Sequence, residues 1–173
     1  MATLSNNAAG AFQDIREAIV NKLEALSRAG KVWGRVRYAD NLEQWLELAA
    51  IDDGAGLDEL RVSFVYLNSF TTERSEARQN RVSAVFTIEI IQGFYDGDDN
   101  SNSSLTFESF IGDIWDAFKD SESLGFTDQA GQAVENDPIS VQTADNEGRP
   151  SYVDGVLSHR IVLNLPLAFR LCI

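Results

Sequence analysis

Residues 160–171 read RIVLNLPLAFRL, and this stretch decides the fold class of the chain. Large apolar residues fill every second position from Ile161 to Leu171. Successive side chains of a strand point to opposite faces, so a period of two indicates a β-strand with one buried face. We therefore predict a long final strand that supports the main core.

The same alternation occurs in two earlier segments. Apolar side chains alternate from Val62 to Tyr66 and again from Val82 to Ile91, which predicts two neighbouring strands. The connection from Asn68 to Asn80 is much longer than the two to five residues of a usual hairpin loop. It carries Phe70 and arginines, residue types that are common interface anchors. We predict a protruding loop here that contacts another subunit or a partner.

Two stretches have the periodicity of amphipathic helices. The first runs from Phe12 to Leu26, with Gly30 placed to end it, and the second runs from Phe107 to Phe118. Ser104 or Thr106 could cap the second helix. We predict an α+β fold with a mixed or antiparallel sheet of about four to five strands. The two main helices are expected on one face of this sheet, with Trp115 packed against it.

The length of 173 residues predicts one domain, residues 1–173, with residues 1–10 as a flexible N-terminal segment. Cys172 is the only cysteine, so no disulfide can form within the chain. No run approaches the about 20 apolar residues that span a bilayer, and we expect no membrane contact.

The net charge of −13 is unevenly distributed. Between Val82 and Ser158 the only permanent cations are Lys119 and Arg149, whereas Arg74, Arg78 and Arg81 are clustered. Affinity for nucleic acid depends on basic groups that displace counterions, so direct binding to DNA is not expected. The pattern predicts one acidic surface and another that is locally basic.

No set of residues with catalytic or metal-binding spacing is present. His159 is the only histidine, which restricts imidazole chemistry and leaves no histidine pair for a metal. Asp96 to Asn102 resembles the start of a calcium loop, but Ser101 and Phe107 stand where a glycine and a bidentate acid are needed. We therefore expect no enzymatic activity, no cofactor and no metal.

The order of these segments resembles tailed-bacteriophage tail terminator proteins, also described as tail completion or head-tail joining proteins. The segments that carry the resemblance are Gly34 to Tyr38, Trp45, Arg61 to Phe70, Arg81 to Tyr95, the aromatic helix, Val156 to Arg160 and Leu163 to Pro166. The resemblance implies an α+β domain that forms a hexameric ring. Such a ring caps the tail tube, ends its growth and joins it to the neck.

The resemblance also implies partners and a location. The partners would be other copies of the chain, the tail tube protein and a neck or head-closure protein, with DNA passing through the lumen without specific binding. The location would be the tail-neck junction of the virion, after assembly in the host cytoplasm. Carboxylates are expected to line the lumen, and acid-rich stretches such as Asp96 to Asp99 and Asp145 to Glu147 are candidates for this lining. The residues predicted at a subunit or tail interface are Phe70, Arg74, Arg78, Arg81, Arg149 and Tyr152.

Two alternatives stay open at this point. The chain could be another neck or tail subunit, such as a head-closure or tube-related protein, because the sequence separates these poorly. It could also be a protein-binding module of a host.

Overall fold

The computed structural model describes residues 2–37, 40–52, 58–75, 79–93, 103–120, 122, 124–142, 151–153 and 156–172. The helices in these residues are α1 (Ala8–Glu24), α2 (Leu42–Ala49) and α3 (Ser103–Phe118). The strands are β1 (Ala2–Thr3), β2 (Lys31–Trp33), β3 (Ala50–Asp52), β4 (Asp58–Ser75), β5 (Gln79–Gly93), β6 (Phe126–Thr127), β7 (Glu135–Asn136), β8 (Ser140–Gln142), β9 (Ser151–Val153) and β10 (Val156–Cys172).

Three long strands form the centre of a mixed sheet. β5 lies between β4 and β10 and is antiparallel to both of them. The short strands β2 and β3 extend the sheet beside β4, and β7, β8 and β9 pair with β10. The α+β class is confirmed, but the sheet has eight strands within the described residues instead of about four to five. The additional strands are two or three residues long, which is too short for an alternating pattern to be seen.

The main core lies between one face of the sheet and the two long helices. α1 contributes Ile15 and Ile19, and α3 contributes Phe110 and Ile114, all of them fully buried. From the sheet, every second residue of β5 and β10 enters the same cluster, as the period of two predicts. The sheet residues concerned are Val82, Ala84, Phe86, Ile88, Ile90, Leu163, Leu165, Leu167, Phe169 and Leu171.

A third, shorter helix, α2, covers part of the opposite face of the sheet. The side chain of Asn41 accepts a hydrogen bond from the Gln44 backbone and caps α2. Trp45 and Ala49 of α2 then pack on Val62 and Phe64 of β4 in a second, smaller core. The rest of this face, toward Ser75 and Gln79, is not covered by a helix in the described part of the chain.

The first ten residues differ from the expected flexible segment. Ala2 and Thr3 pair with β6, and the backbone of Leu4 donates a hydrogen bond to the Thr127 carbonyl. Leu4 is buried in the main core, and Asn7 caps α1, which begins at Ala8. A single buried leucine in a polar stretch gives no periodic signal, so the sequence did not reveal this anchoring.

The end of α1 and the start of α3 differ from their predicted positions. α1 ends at Glu24, with Ala25 as its C-cap, so Gly30 does not end the helix. Gly30 has a φ of 65° and lies against the backbone of Arg61, where a Cβ atom would approach the carbonyl oxygen within 2.5 Å. The glycine is therefore required for close packing of the chain on β4. α3 begins at Ser103, before both of the residues expected to cap it.

Candidate interaction surfaces

The predicted loop from Asn68 to Asn80 is mostly β-structure. β4 continues to Ser75 and β5 begins at Gln79, and these two residues are themselves paired. A register shift between Leu67 and Ser69 marks a bulge in β4. We name residues 69–75 and 79–85 the hairpin end. This polar stretch contains Thr residues and keeps the alternation of a strand, so it is compatible with β-structure. The loop was predicted because the stretch is polar.

Phe70 lies in the hairpin end, where half of its side chain is exposed (53%). Its ring is 5.2 Å from the ring of Phe12 on α1, measured between centroids. Phe12 in turn contacts Phe86 at 6.5 Å and Phe169 at 6.1 Å. Phe70 therefore extends the main core to the surface and presents one side of its ring to solvent.

Arg74 and Arg81 also lie in the hairpin end, and both are exposed. Arg81 is directly opposite Glu73 on β4 and Arg170 on β10, so these three side chains share the face that points away from α1 and α3. Of the three, Arg81 lines a cleft of about 330 Å³ together with Ser83 and Pro166. This end of the sheet is polar and carries both signs of charge, since Glu135 and Asp137 line the same cleft.

A buried aspartate that the sequence analysis missed fixes the far end of β10. Asp128 accepts hydrogen bonds from the backbones of Ala130 and Gln132 at 2.9 Å, and from the backbone of Arg170 at 3.0 Å. The backbone of Gln129 donates to the Arg170 carbonyl as well. The loop that follows β6 is thereby held against the end of β10. The Asp128 to Gly131 turn was the only available sequence signal.

Tyr152 lies at the other end of the sheet. It belongs to β9, pairs with Leu157 and is 76% exposed. It lines an aromatic groove of about 560 Å³ on the face that α2 partly covers. The other residues of this aromatic groove are Val36, Arg37, Trp45, Phe64, Tyr66, Glu89, Ile91, Val153 and Arg160.

Two arginines give the aromatic groove its charge. Arg160 forms an ion pair with Glu89, with 2.7 Å between Nη2 and Oε1. The Arg37 guanidinium lies 4.2 Å from the centroid of the Trp33 ring, in a cation–π contact. The groove therefore combines aromatic walls with guanidinium groups, which are residue types enriched at protein interfaces.

The structure thus separates the predicted interface residues into two surfaces. Phe70, Arg74 and Arg81 lie together at the hairpin end, and Tyr152 lies in the aromatic groove. Leu157 and Arg170, their neighbours on β10, are separated by about 40 Å at 3.3 Å per residue. Arg78 and Arg149 lie outside the described residues, as do the acidic stretches Asp96 to Asp99 and Asp145 to Glu147 and the rejected calcium loop.

Trp115 is on the surface, so the prediction that it packs against the sheet was wrong. Its side chain is 49% exposed, whereas Phe110, Ile114 and Phe118 of the same helix are fully buried. The buried positions follow a spacing of three and four residues, and Trp115 lies one step beyond that stripe. An exposed tryptophan is a frequent anchor of binding energy, so the outer face of α3 is a third candidate surface.

His159 is a structural residue of β10 beneath α3. It is buried, its Nε2 lies 3.1 Å from the Ser103 hydroxyl, and its ring stacks on Phe107 at 5.2 Å. Burial lowers the pKa of His159 below its ordinary value of 6.5, and Glu108 opposes this effect only in part. The described contacts tie the start of α3 to the sheet.

The lowered pKa of His159 predicts a pH-dependent stability. Near pH 6.5 the unfolded chain binds a proton on His159 more readily than the folded chain does. The contribution of the neutral ring to the free energy of unfolding is therefore complete above pH 6.5. This contribution is lost as the pH falls through 6.5 toward the lower pKa of the folded state. We expect the urea midpoint of the wild type to fall more steeply below pH 6.5 than that of His159→Gln, which cannot titrate. Parallel curves for the two proteins would contradict this assignment.

Two kinds of site are not found in the described residues. No group of three or more His, Cys, Asp or Glu side chains in them could hold a metal ion. Among the same residues, no helix has the length and apolar character needed to cross a membrane.

Comparisons with known proteins add little to this description. No protein-family model matches the chain, and no curated protein matches it. Among solved structures, one similar chain has 18% sequence identity, with 91% of this chain and 96% of that chain covered and a TM-score of 0.43. A likeness at that TM-score carries no argument, so the proposals below are based on the residues of this chain.

Proposed function

We propose that this chain is a non-enzymatic structural subunit of a tailed bacteriophage, a tail terminator. In this proposal six copies form a ring that caps the tail tube, ends its growth and joins it to the neck. The tail tube protein and a neck or head-closure protein are the partners, and DNA passes through the lumen without specific binding. The protein would be located in the virion, at the tail-neck junction.

The observation that carries the ring is the presence of two unlike surfaces on one subunit, the hairpin end and the aromatic groove. The hairpin end presents Phe70, Arg74 and Arg81, and the aromatic groove presents Tyr152 and Arg37. A cyclic assembly with more than two subunits uses heterologous contacts, in which one surface of a subunit meets a different surface of the next. A subunit with two separate surfaces is suited to such contacts.

The third candidate surface supports contact with something other than the ring neighbour. Trp115 lies on the face of α3 that points away from the sheet, apart from both surfaces above. A terminator must bind a tube below and a neck protein above, in addition to its own copies. The outer face of α3 is therefore available for one of these axial partners.

The first test is the mass of the purified full chain in solution. We expect a species of six times the monomer mass by light scattering, and rings of uniform diameter by negative-stain electron microscopy. A chain that is strictly monomeric at micromolar to millimolar concentrations would contradict the ring.

The second test separates a terminator from its alternatives. Addition of the chain to a growing tail tube is expected to fix the tube length and to place a ring at one end. Rings that leave tube growth unchanged would favour another neck or tail subunit. Binding to a host protein without any ring would favour a host protein-binding module.

A further inference from the structure

The outer edge of β4 is open over most of its length. On that side β4 pairs with β3 at residues 58–60 and with β2 at residues 62–64. From Val65 to Ser75, none of the described residues pairs with the outer side of the strand. Beyond the bulge, residues 69–75 contain no proline, and Glu73 and Arg74 near the end of the strand are their only charged residues. Such an edge is a template for a further strand.

The opposite side of the sheet also ends in an open edge. There β8 pairs with residues 162–164 of β10, and no described strand pairs with its other side. All three residues of β8 are exposed, and Val141 at its centre is 61% exposed. Val141 can contact a second copy of the chain only if the strand directions and the faces of the two open edges agree.

The strand directions of the two edges agree. β4 and β10 both run antiparallel to β5, so they are parallel to each other. β8 runs antiparallel to β10 and hence to β4. If a second copy continues the sheet in the same orientation, its β8 lies antiparallel to β4 of the first copy, in the arrangement that forms regular ladders.

The faces of the two edges agree as well. Val141 is opposite Leu163, which points to the α1 and α3 face. Beyond the bulge, Phe70 is opposite Ala84 and Thr72 is opposite Val82, and both of these partners point to the same face. A stagger of about four residues between copies, about 13 Å, brings Val141 beside Phe70. At that stagger β9 of the second copy reaches the level of β2 of the first, so the two sheets diverge there by the width of one strand, about 4.8 Å. Closed sheets require stagger of this kind, and an even shift keeps each side chain on its face.

We propose that residues 69–74 of β4 in one copy pair with β8 of the next copy, so that the sheet continues from subunit to subunit. This inference rests on the proposed function, because it describes how copies of the chain meet in the ring. The contact buries Phe70 against Val141 of the neighbour and satisfies the open backbone groups of both edges. It is heterologous, since β4 and β8 are different surfaces, and it stops growth only when the ring closes.

Disulfide cross-linking tests the pairing directly. In a Cys172→Ser background, two double variants place cysteines on the same face of the two edges: Phe70→Cys with Val141→Cys, and Thr72→Cys with Val141→Cys. The matched control is Thr71→Cys with Val141→Cys, because Thr71 is the neighbour of Thr72 on the opposite face. Cross-strand cysteines on one face have Cβ atoms within disulfide reach, about 4 Å apart, and those on opposite faces do not.

After mild oxidation, a denaturing gel without reductant is expected to show a ladder of covalent oligomers up to six copies for at least one same-face variant. The control and each single variant are expected to stay at the monomer position. A ring that gives no ladder with either same-face variant would overturn the edge pairing and leave the ring itself intact. Equal ladders from the control, or dimers from Thr72→Cys alone, would also overturn it. A monomeric chain would overturn both this pairing and the proposed function.

Discussion

Replacement of Phe110 by Ala is expected to reduce the free energy of unfolding by about 3–5 kcal/mol. The Phe110 ring is fully buried between α3 and the sheet, and the guanidinium of Arg61 lies 6.0 Å from its centroid. Removal of the ring loses apolar burial and leaves a cavity that a helix packed on a sheet can close only in part. Chemical denaturation monitored by circular dichroism measures the change.

Trp115→Ala is the matched control on the same helix. Because half of the Trp115 side chain is exposed, this change is expected to alter the free energy of unfolding by no more than about 1 kcal/mol. If Trp115→Ala destabilised the chain as much as Phe110→Ala, α3 would be rotated from the described orientation. If the control instead weakened binding to a tube or neck protein, the outer face of α3 would be that binding surface.

Asp128→Ala is expected to reduce the free energy of unfolding by about 2–4 kcal/mol, because hydrogen bonds to a charged acceptor contribute more than neutral ones. The substitution leaves three backbone N–H groups without their acceptor and releases the loop after β6 from Arg170. Hydrogen exchange should show a local effect, with the amides of Ala130, Gln132 and Arg170 losing protection first.

Asp137→Ala serves as the comparison for this charge removal. Asp137 is exposed, and its backbone N–H, which donates to the Pro166 carbonyl, is retained in the variant. We expect little change in the denaturation midpoint. Equal losses for the two variants would mean that net charge, and not the hydrogen bonds of Asp128, sets the stability of this region.

Local periodicity predicted the elements that carry the fold. The buried face of β10, the pairing of β4 with β5 and the buried stripe of α3 follow from spacing, because each strand or helix repeats its inward positions regularly. Short strands such as β7 and the anchoring of Leu4 could not be predicted in this way, since two or three residues contain no period. Asp128 was missed because its three partners include a backbone group 42 residues away.

The candidate surfaces were predicted only in part. Composition identified Phe70, Arg74, Arg81 and Tyr152, whose types are common at interfaces, but it did not show that they form two groups about 40 Å apart. The exposure of Trp115 was also visible only in the structure, because residue type alone does not distinguish an aromatic residue within the buried stripe of a helix from one beside it. The proposed function comes from the resemblance in segment order, and the experiments described above test it.

By itself the sequence determined an α+β chain with a long one-sided final strand, two amphipathic helices and a strongly acidic balance. These properties depend on residue type and on the spacing between near neighbours, and both are read directly from the sequence. The tertiary structure alone decided which edges of the sheet are open, which faces are covered and which distant residues meet. Strand order and helix placement fix those features, and they arise from contacts between segments that local spacing does not relate.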